Sequence, residues 1–69
     1  MNNLNQDNFP KNLKHYRLKN NLTQKQLGSL LGVSESIICR WEQGNRFPRF
    51  NMLNRLAEVL HTNTFSFFF

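Results

Sequence analysis

The sequence predicts an all-α fold, a compact bundle of five short helices. Apolar side chains recur at spacings of three and four residues, which places them on one face of a helix. Glycine and asparagine residues interrupt these stretches at the points where turns are expected. With 69 residues and neither an internal repeat nor a low-complexity linker, the chain should form one domain. This length is near the lower limit for a hydrophobic core that is stable without disulfides or a bound metal.

The amino-acid composition indicates what kind of binding partner and which cellular compartment to expect. Nine Lys and Arg against four Asp and Glu give a net charge of +5, which favours an acidic polymer as partner. A single cysteine excludes an internal disulfide and suits a reducing compartment. No apolar run approaches the ~20 residues of a membrane span, and the polar start MNNLNQDN is unlike a signal peptide. We therefore expect a cytoplasmic protein without membrane association.

The first helix is predicted over residues 9–20, and a flexible polar arm is predicted over residues 1–8. Pro10 suits a first helical turn, because an N–H at that position would have no partner within the helix. The folded domain is therefore expected to cover residues 9–69. The apolar face of the first helix is formed by Phe9, Leu13 and Tyr16.

The second helix is predicted over residues 24–31 by a signal at its start. Thr23, with Gln26 three residues later, can form a capping box in which each side chain accepts a hydrogen bond from the other residue's backbone N–H. Leu27 and Leu31 are four residues apart, so they share the buried face of this helix.

A tight turn joins this helix to a third one, predicted over residues 35–43. Gly32 can adopt the positive φ that often ends a helix, and Ser34 can cap the next helix. Gly28 has no side chain to hold the two helices apart. The buried face of the third helix should contain Ile38 and Trp41. Two short helices packed across such a turn form a helix-turn-helix.

The fourth helix is predicted over residues 49–60, and Asn63 is expected to cap a fifth, short helix. The loop before the fourth helix contains Phe47, which the following proline keeps out of helical conformation. The buried stripe of the fourth helix is predicted to contain Phe50, Leu53, Leu56, Ala57 and Leu60.

Specific residues, in addition to the apolar spacing, characterise the segment YRLKNNLTQKQLGSLLGVSESIICRWEQGNRFPRF. Arg17 precedes Gln24 by seven residues, Trp-Glu-x-Gly ends the third helix, and Pro-Arg-Phe follows. With these features residues 9–68 resemble the DNA-binding domain of the Cro and phage-repressor (XRE-type) family. The resemblance implies a lambda-repressor-like fold and a bacterial or phage-encoded regulator. Such a regulator would bind double-stranded DNA at a palindromic operator as a homodimer, in the role of a repressor.

The third helix is the candidate for the major groove, which admits one helix. The resemblance implies that Glu35, Ser36 and Arg40 contact base edges. Arg40 can pair bidentately with guanine, and a solvated surface charge is the alternative. Glu35 can accept a hydrogen bond from cytosine N4, or it can lie in the first turn only because the helix dipole favours an anion there.

Contacts to the DNA backbone are implied on both sides of this helix. Gln24 would bind a phosphate with help from backbone N–H groups, and an ordinary helix-start residue is the alternative. Either Arg46 or Arg49 would enter the minor groove, and the sequence leaves open which one does. The other implied backbone contacts are Lys25, Gln43 and Asn45.

Arg17 and Glu42 resemble the family's buried ion pair between the first and third helices. Such a pair contributes little net stability, yet removal of one partner leaves a buried charge and costs roughly 3–5 kcal/mol. The alternative for Arg17 is a contact to a DNA phosphate.

The tail FSFFF contains more aromatic side chains than the core of a monomer needs. We expect an apolar dimer interface along the fourth helix and the tail. Its predicted members are Met52, Val59, Phe65 and Phe69. One alternative is a tail strand that pairs with its twin in a partner, and another is a tail that folds back onto the core.

No residue pattern in the sequence indicates catalysis. His15, His61 and Cys39 lie on different predicted segments and form neither a metal site nor a nucleophile with its base. We expect no enzyme activity, no cofactor, no metal and no small-molecule ligand. The alternative function is a protein-interaction module, such as an antirepressor or antitoxin-like adaptor, which keeps the fold without DNA binding.

Overall fold

The structure, a computed structural model, describes residues 5–69. This part of the chain is all-α, as predicted, and contains no strand. Its α-helices are α1 (Phe9–Lys19), α2 (Gln24–Leu31), α3 (Glu35–Glu42) and α4 (Phe50–Val59). Two short 3-10 helices, the N-terminal turn (Gln6–Asn8) and the C-terminal turn (Thr64–Phe68), flank them. None of the described helices is long and apolar enough to cross a membrane.

All four α-helices and the C-terminal turn share one core. Phe67 of the C-terminal turn is fully buried, and its ring centroid lies 5.5 Å from that of Phe9 and 5.9 Å from that of Tyr16. Both pairs are edge-to-face, an arrangement that aromatic quadrupoles favour. The buried hydrophobic residues are Phe9, Leu13, Leu27, Leu31, Ile38, Trp41, Leu53, Leu56, Ala57, Leu60 and Phe67.

Asparagine side chains attach α1 to the C-terminal part of the chain. Asn8 and Asn12 donate to carbonyl oxygens of the C-terminal turn at 3.2 and 3.0 Å. Asn20, just after α1, donates to the carbonyl oxygen of Leu60 at 3.1 Å. Carbonyl groups at the end of a helix lack partners within the helix, so these amides satisfy acceptors that folding removes from water.

The predicted fifth helix is present, but it is not an α-helix. The C-terminal turn is a 3-10 helix of five residues, so the described part of the chain has four α-helices rather than five. Asn63 caps this turn as predicted, because its Oδ1 accepts from the backbone N–H of Ser66 at 3.1 Å. So short a segment cannot accumulate α-helical hydrogen bonds, and the tighter 3-10 pattern is usual for such pieces.

The structure describes only the second half of the predicted polar arm, residues 5–8. Residues 1–4 lie outside the described residues, whereas residues 5–8 are docked on the domain. The backbone N–H of Asn5 donates to the carbonyl oxygen of Phe68 at 2.7 Å, and its side chain accepts from the N–H of Asp7 at 2.8 Å. Residues 5–8 are therefore part of the folded domain. This contact joins two ends of the chain, so local sequence patterns could not indicate it.

α4 also differs from the prediction at its first residue. The rest of the predicted stripe is buried, whereas Phe50 is 73% exposed. Phe47, in the loop before α4, packs against Phe9 instead, with 5.0 Å between the ring centroids. Pro48 is buried beside it. Phe47, which is itself 40% exposed, therefore contacts the core while Phe50 lies largely in solvent.

Candidate nucleic-acid interface

Two glycines shape the turn between α2 and α3. Gly32 has a φ of 76°, in the left-handed region that favours glycine. A Cβ atom on Gly28 would lie 2.7 Å from the carbonyl oxygen of Val33, so any side chain there would displace the backbone that leads into α3. Close approach at Gly28 thus fixes how α3 rests on α2.

Side-chain caps fix where α2 and α3 begin. The hydroxyl of Thr23 accepts from the N–H of Gln26 at 3.0 Å, and the Gln26 amide oxygen accepts from the N–H of Thr23 at 2.9 Å, which is the predicted capping box. The Ser34 hydroxyl accepts from the N–H of Ile37 at 3.2 Å. Each cap satisfies an N–H that has no partner within its helix. The first turn of α3, which begins with Glu35, is therefore well defined.

α3 has one face in the core and one face in solvent. Ile38 is fully buried and Trp41 is 5% exposed. The three residues expected to contact bases lie on the opposite side and are all exposed: Glu35, Ser36 and Arg40. The structure thus leaves these side chains accessible to a ligand while the other face of the helix is held in the core.

A hydrogen-bonded network lies behind this exposed face, with Glu42 at its centre. Arg17 Nε donates to Glu42 Oε2 at 2.6 Å and Arg17 Nη2 donates to Glu42 Oε1 at 3.1 Å, so the pair is bidentate. The two side chains are only 9% and 4% exposed. Arg17 Nη1 also donates to the carbonyl oxygen of Leu22 at 2.8 Å. The network therefore joins α1, the loop before α2 and the end of α3.

Gln24, the residue expected to bind a phosphate, belongs to the same network. Its Nε2 donates to Glu42 Oε1 at 3.1 Å, and the residue is half-buried. A glutamine amide has two N–H donors and one acceptor oxygen, and the bond to Glu42 uses only one donor. The second N–H has no partner among the described residues, and the bond to Glu42 restricts where this N–H can point.

Most of the residues predicted to contact the DNA backbone lie at the end of α3 and in the loop that leads to α4. Arg46 and Arg49 are exposed and line one groove of about 310 Å³ together with residues of α3. The exposed side chains of Gln43 and Asn45 are joined by a hydrogen bond of 3.2 Å, with the Asn45 amide as donor. Four of the six predicted backbone contacts are therefore neighbours in the structure.

Positive charge surrounds the exposed face of α3. The bidentate pair behind α3 is the only ion pair among residues 5–69. Arg40, Arg46 and Arg49 are therefore not neutralised by a carboxylate of the described chain. Glu35 is the one carboxylate that α3 itself exposes. The surface has the charge expected of a phosphate-binding face, apart from Glu35 on α3 itself.

Of the two remaining predicted backbone contacts, Gln24 belongs to the network behind α3, and Lys25 lies apart from both groups. It is exposed and lines a separate groove with Leu22 and Leu30.

Two residues that the sequence reasoning missed also bear on this surface. Arg55 of α4 donates to the carbonyl oxygens of Leu31 and Leu30 at 2.9 and 3.3 Å, so it holds the end of α2. Asp7 lines a cleft together with Arg46, where a carboxylate reduces the local positive potential. Both depend on contacts between distant parts of the chain, so residue spacing offers no signal for them.

The predicted dimer residues do not share one groove. Phe65 and Phe69 are 64% and 65% exposed, whereas Met52 and Val59 are half-buried against the core. Met52 lines the groove beside α3, and Phe65 lines a different one together with Phe50. No group of three His, Cys, Asp or Glu side chains in the described part of the chain could hold a metal ion.

The model of the helix-turn-helix domain family matches residues 11–64. The chain belongs to this family. The matched region includes all of α2, α3 and α4 and most of α1. The resemblance inferred from the sequence is thereby confirmed.

Two solved structures show how closely the whole fold is shared. The restriction-modification controller protein C.AhdI from Aeromonas hydrophila matches with a TM-score of 0.80 and 27% identity over 87% of each chain. Hydroxypropylphosphonic acid epoxidase from S. wedmorenis matches with a TM-score of 0.86 and 26% identity over 97% of this chain. The chain spans 36% of the epoxidase. No curated protein sequence matches the chain.

Proposed function

We propose that the protein is a sequence-specific transcriptional regulator that binds double-stranded DNA with α3 in the major groove. The observation that carries the proposal is the exposed face of α3, which presents Arg40, Ser36 and Glu35 from a helix that Trp41 anchors in the core. A guanidinium on such a face can donate two hydrogen bonds to guanine O6 and N7. The helix-turn-helix family and the likeness to a controller protein support this role.

Contacts to phosphates would position α3 without reading sequence. Arg46 and Arg49 lie beside α3 with no carboxylate partner among the described residues, and Gln24 keeps one amide N–H unused. Gln43, Asn45 and the more distant Lys25 complete this proposed set. Such contacts release counterions, so binding should weaken steeply as salt rises.

In this proposal the protein acts as a homodimer that represses transcription from a palindromic operator. One copy of so small a domain covers about one half-site, and a twofold dimer places two recognition helices one DNA turn apart, about 34–36 Å. The protein would act by binding alone, without catalysis, a cofactor or a small-molecule ligand.

The second candidate is an adaptor that binds another protein through the same fold. Glu35 favours this alternative, because an exposed carboxylate on α3 repels phosphates. The unpaired arginines beside α3 favour DNA, because an adaptor has no evident use for cations grouped around one helix.

Selection of bound duplexes from a random double-stranded pool separates the two candidates. A regulator should enrich a motif of two half-sites related by twofold symmetry, with centres about one turn apart. The Arg40→Ala variant, confirmed as folded by its melting curve, should not enrich the same motif. A parent protein that leaves the pool random would reject the proposed function and favour the adaptor.

A further inference from the structure

Arg55 of α4 is bonded to the helix-turn-helix but is not among the proposed DNA contacts. Its Nη1 donates to the carbonyl oxygen of Leu31 at 2.9 Å, and its Nη2 donates to that of Leu30 at 3.3 Å. Leu31 is the last residue of α2, so one guanidinium spans two carbonyl groups at the end of that helix. Arg55 therefore joins α4 to the helix on which α3 rests.

The end of α2 needs donors that α2 itself does not supply. The last carbonyl oxygens of a helix have no partner within the helix, and a cation is favourable there because the helix dipole is negative at that end. The backbone N–H of Val33 donates to the carbonyl oxygen of Gly28 at 2.9 Å, but the last turn of α2 contains no basic residue. The carbonyl groups of Leu30 and Leu31 obtain both a donor and a positive charge from Arg55.

The carbonyl groups that Arg55 binds lie directly before the turn that leads into α3. Gly32 follows Leu31 with a φ of 76°, and a Cβ atom on Gly28 would lie only 2.7 Å from the Val33 carbonyl oxygen. A turn packed this closely transmits a shift at the end of α2 to the start of α3. The bonds of Arg55 therefore also restrict where the exposed face of α3 lies.

The helix that carries Arg55 also follows the basic loop. Arg49 is the N-cap residue of α4, and Arg46 lies in the loop just before it. Arg55 is one and a half turns further along, about 9 Å from Arg49 along the helix axis. Among residues 5–69, no other side chain makes a hydrogen bond between α4 and either α2 or α3. Arg55 is thus the polar link between the helix that follows the loop arginines and the helix-turn-helix.

We propose that Arg55 is a positioning residue for DNA recognition, which fixes α4 and the loop before it relative to α3 so that phosphate and base contacts form together. This inference rests on the proposed function. Arg55 acts without touching DNA, because its guanidinium is bound to α2. Loss of its two bonds should leave the electrostatic attraction to DNA nearly intact and reduce discrimination between the selected duplex and a scrambled one.

The test separates the hydrogen bonds of Arg55 from its charge and its stem. Arg55→Met keeps an unbranched stem without donors, and Arg55→Lys keeps the charge and can still donate to a carbonyl oxygen. The matched control, Lys14→Met, removes one exposed cation from α1. Because Arg55 is exposed, water can replace its guanidinium at the two carbonyl groups, so its variants should stay folded, which melting curves check.

Two measurements are then made on each protein. Affinities for the selected duplex and for a scrambled duplex, at several salt concentrations, give the discrimination and the slope of log affinity against log salt. Hydrogen exchange of the Val33 backbone N–H, which is bonded across the turn to Gly28, reports on the turn without DNA.

Arg55→Met should lose about fivefold of the discrimination per half-site, the lower end of the effect of one lost base contact, with a nearly unchanged salt slope. Arg55→Lys should recover part of this loss, and Lys14→Met should discriminate like the parent. The Val33 N–H should exchange faster in Arg55→Met than in Lys14→Met.

Three results would overturn the inference: full discrimination by Arg55→Met, an equal loss in Arg55→Met and Lys14→Met, or no recovery in Arg55→Lys. The first would mean that the bonds to α2 do not affect recognition, and the second would assign the effect to net charge. If the parent itself does not discriminate between the duplexes, the proposed function fails instead. Exchange of the Val33 N–H then still decides whether Arg55 fixes the turn before α3.

Discussion

The two sides of the core differ in the side chains that make their most buried contacts. Where α1 meets α2 and α3, Arg17, Gln24 and Glu42 form a hydrogen-bonded network with distances between 2.6 and 3.1 Å. Where α1 meets the C-terminal turn, Phe9 and Phe67 pack as rings whose centroids are 5.5 Å apart. Hydrogen bonds depend steeply on angle as well as on distance, whereas dispersion depends on distance and has no preferred direction.

This difference matches what the polar side is proposed to do. A helix that reads bases must be placed to within a fraction of an ångström, and a polar network that engages Glu42 at the end of α3 can supply that precision. The aromatic side instead leaves the rings of Phe50 and Phe65 exposed, and no contact there requires such precise placement. We therefore expect the two sides to respond differently to mutation.

The largest expected effect is on the aromatic side. Phe67→Ala removes a fully buried ring and should lower the free energy of unfolding by roughly 3–5 kcal/mol. Phe65→Ala, in the same turn but 64% exposed, should change it by less than about 0.5 kcal/mol. Urea unfolding of both variants checks this difference. Equal losses would mean that the C-terminal turn docks in another way.

Removal of Glu42 tests the polar side. Glu42→Ala leaves the Arg17 guanidinium buried with only the Leu22 carbonyl as partner, which should lower the free energy of unfolding by about 3 kcal/mol. Glu58→Ala removes an exposed carboxylate from α4 and serves as the control. Comparable thermal midpoints for these two variants would show that the network contributes no stability.

A smaller effect, on DNA binding, should distinguish Arg49 from Arg55, because the contacts of the two arginines differ. Arg49→Ala should weaken binding to any duplex and reduce the slope of log affinity against log salt by about one. Arg55→Ala removes the same charge, but the Arg55 guanidinium is bound to carbonyl oxygens of α2, so this slope should stay nearly constant. Titrations at several salt concentrations measure both slopes. If the Arg55 variant loses as much slope as the Arg49 variant, net charge alone explains the effect.

The sequence predicted the polar side better than the aromatic side. Thr23, Gln26, Gly32 and Ser34 act within their own turns, so their roles follow from local spacing and backbone geometry. The ion pair was inferred from a family resemblance rather than from spacing, because its partners lie on separate helices.

The aromatic side depends on contacts between distant parts of the chain. Phe47 and Phe50 are three residues apart and equally apolar, and only the path of the loop past Pro48 decides which one reaches Phe9. The docking of Asn5 on the C-terminal turn is of the same kind. Within the candidate interface, the role of Arg55 was missed for this reason. Whether Arg46 or Arg49 enters the minor groove depends on the DNA and stays a prediction.

The central claim is that α3 reads base edges, and Arg40 tests it most directly. Affinities of the parent, Arg40→Ala and Arg40→Lys are compared on the selected duplex and on a scrambled duplex at one salt concentration. Arg40→Ala should lose roughly 1–3 kcal/mol of discrimination per half-site. Arg40→Lys keeps the charge but lacks the bidentate fork, so it should bind the scrambled duplex like the parent and still lose discrimination. If both variants distinguish the two duplexes as well as the parent does, α3 does not read DNA through Arg40.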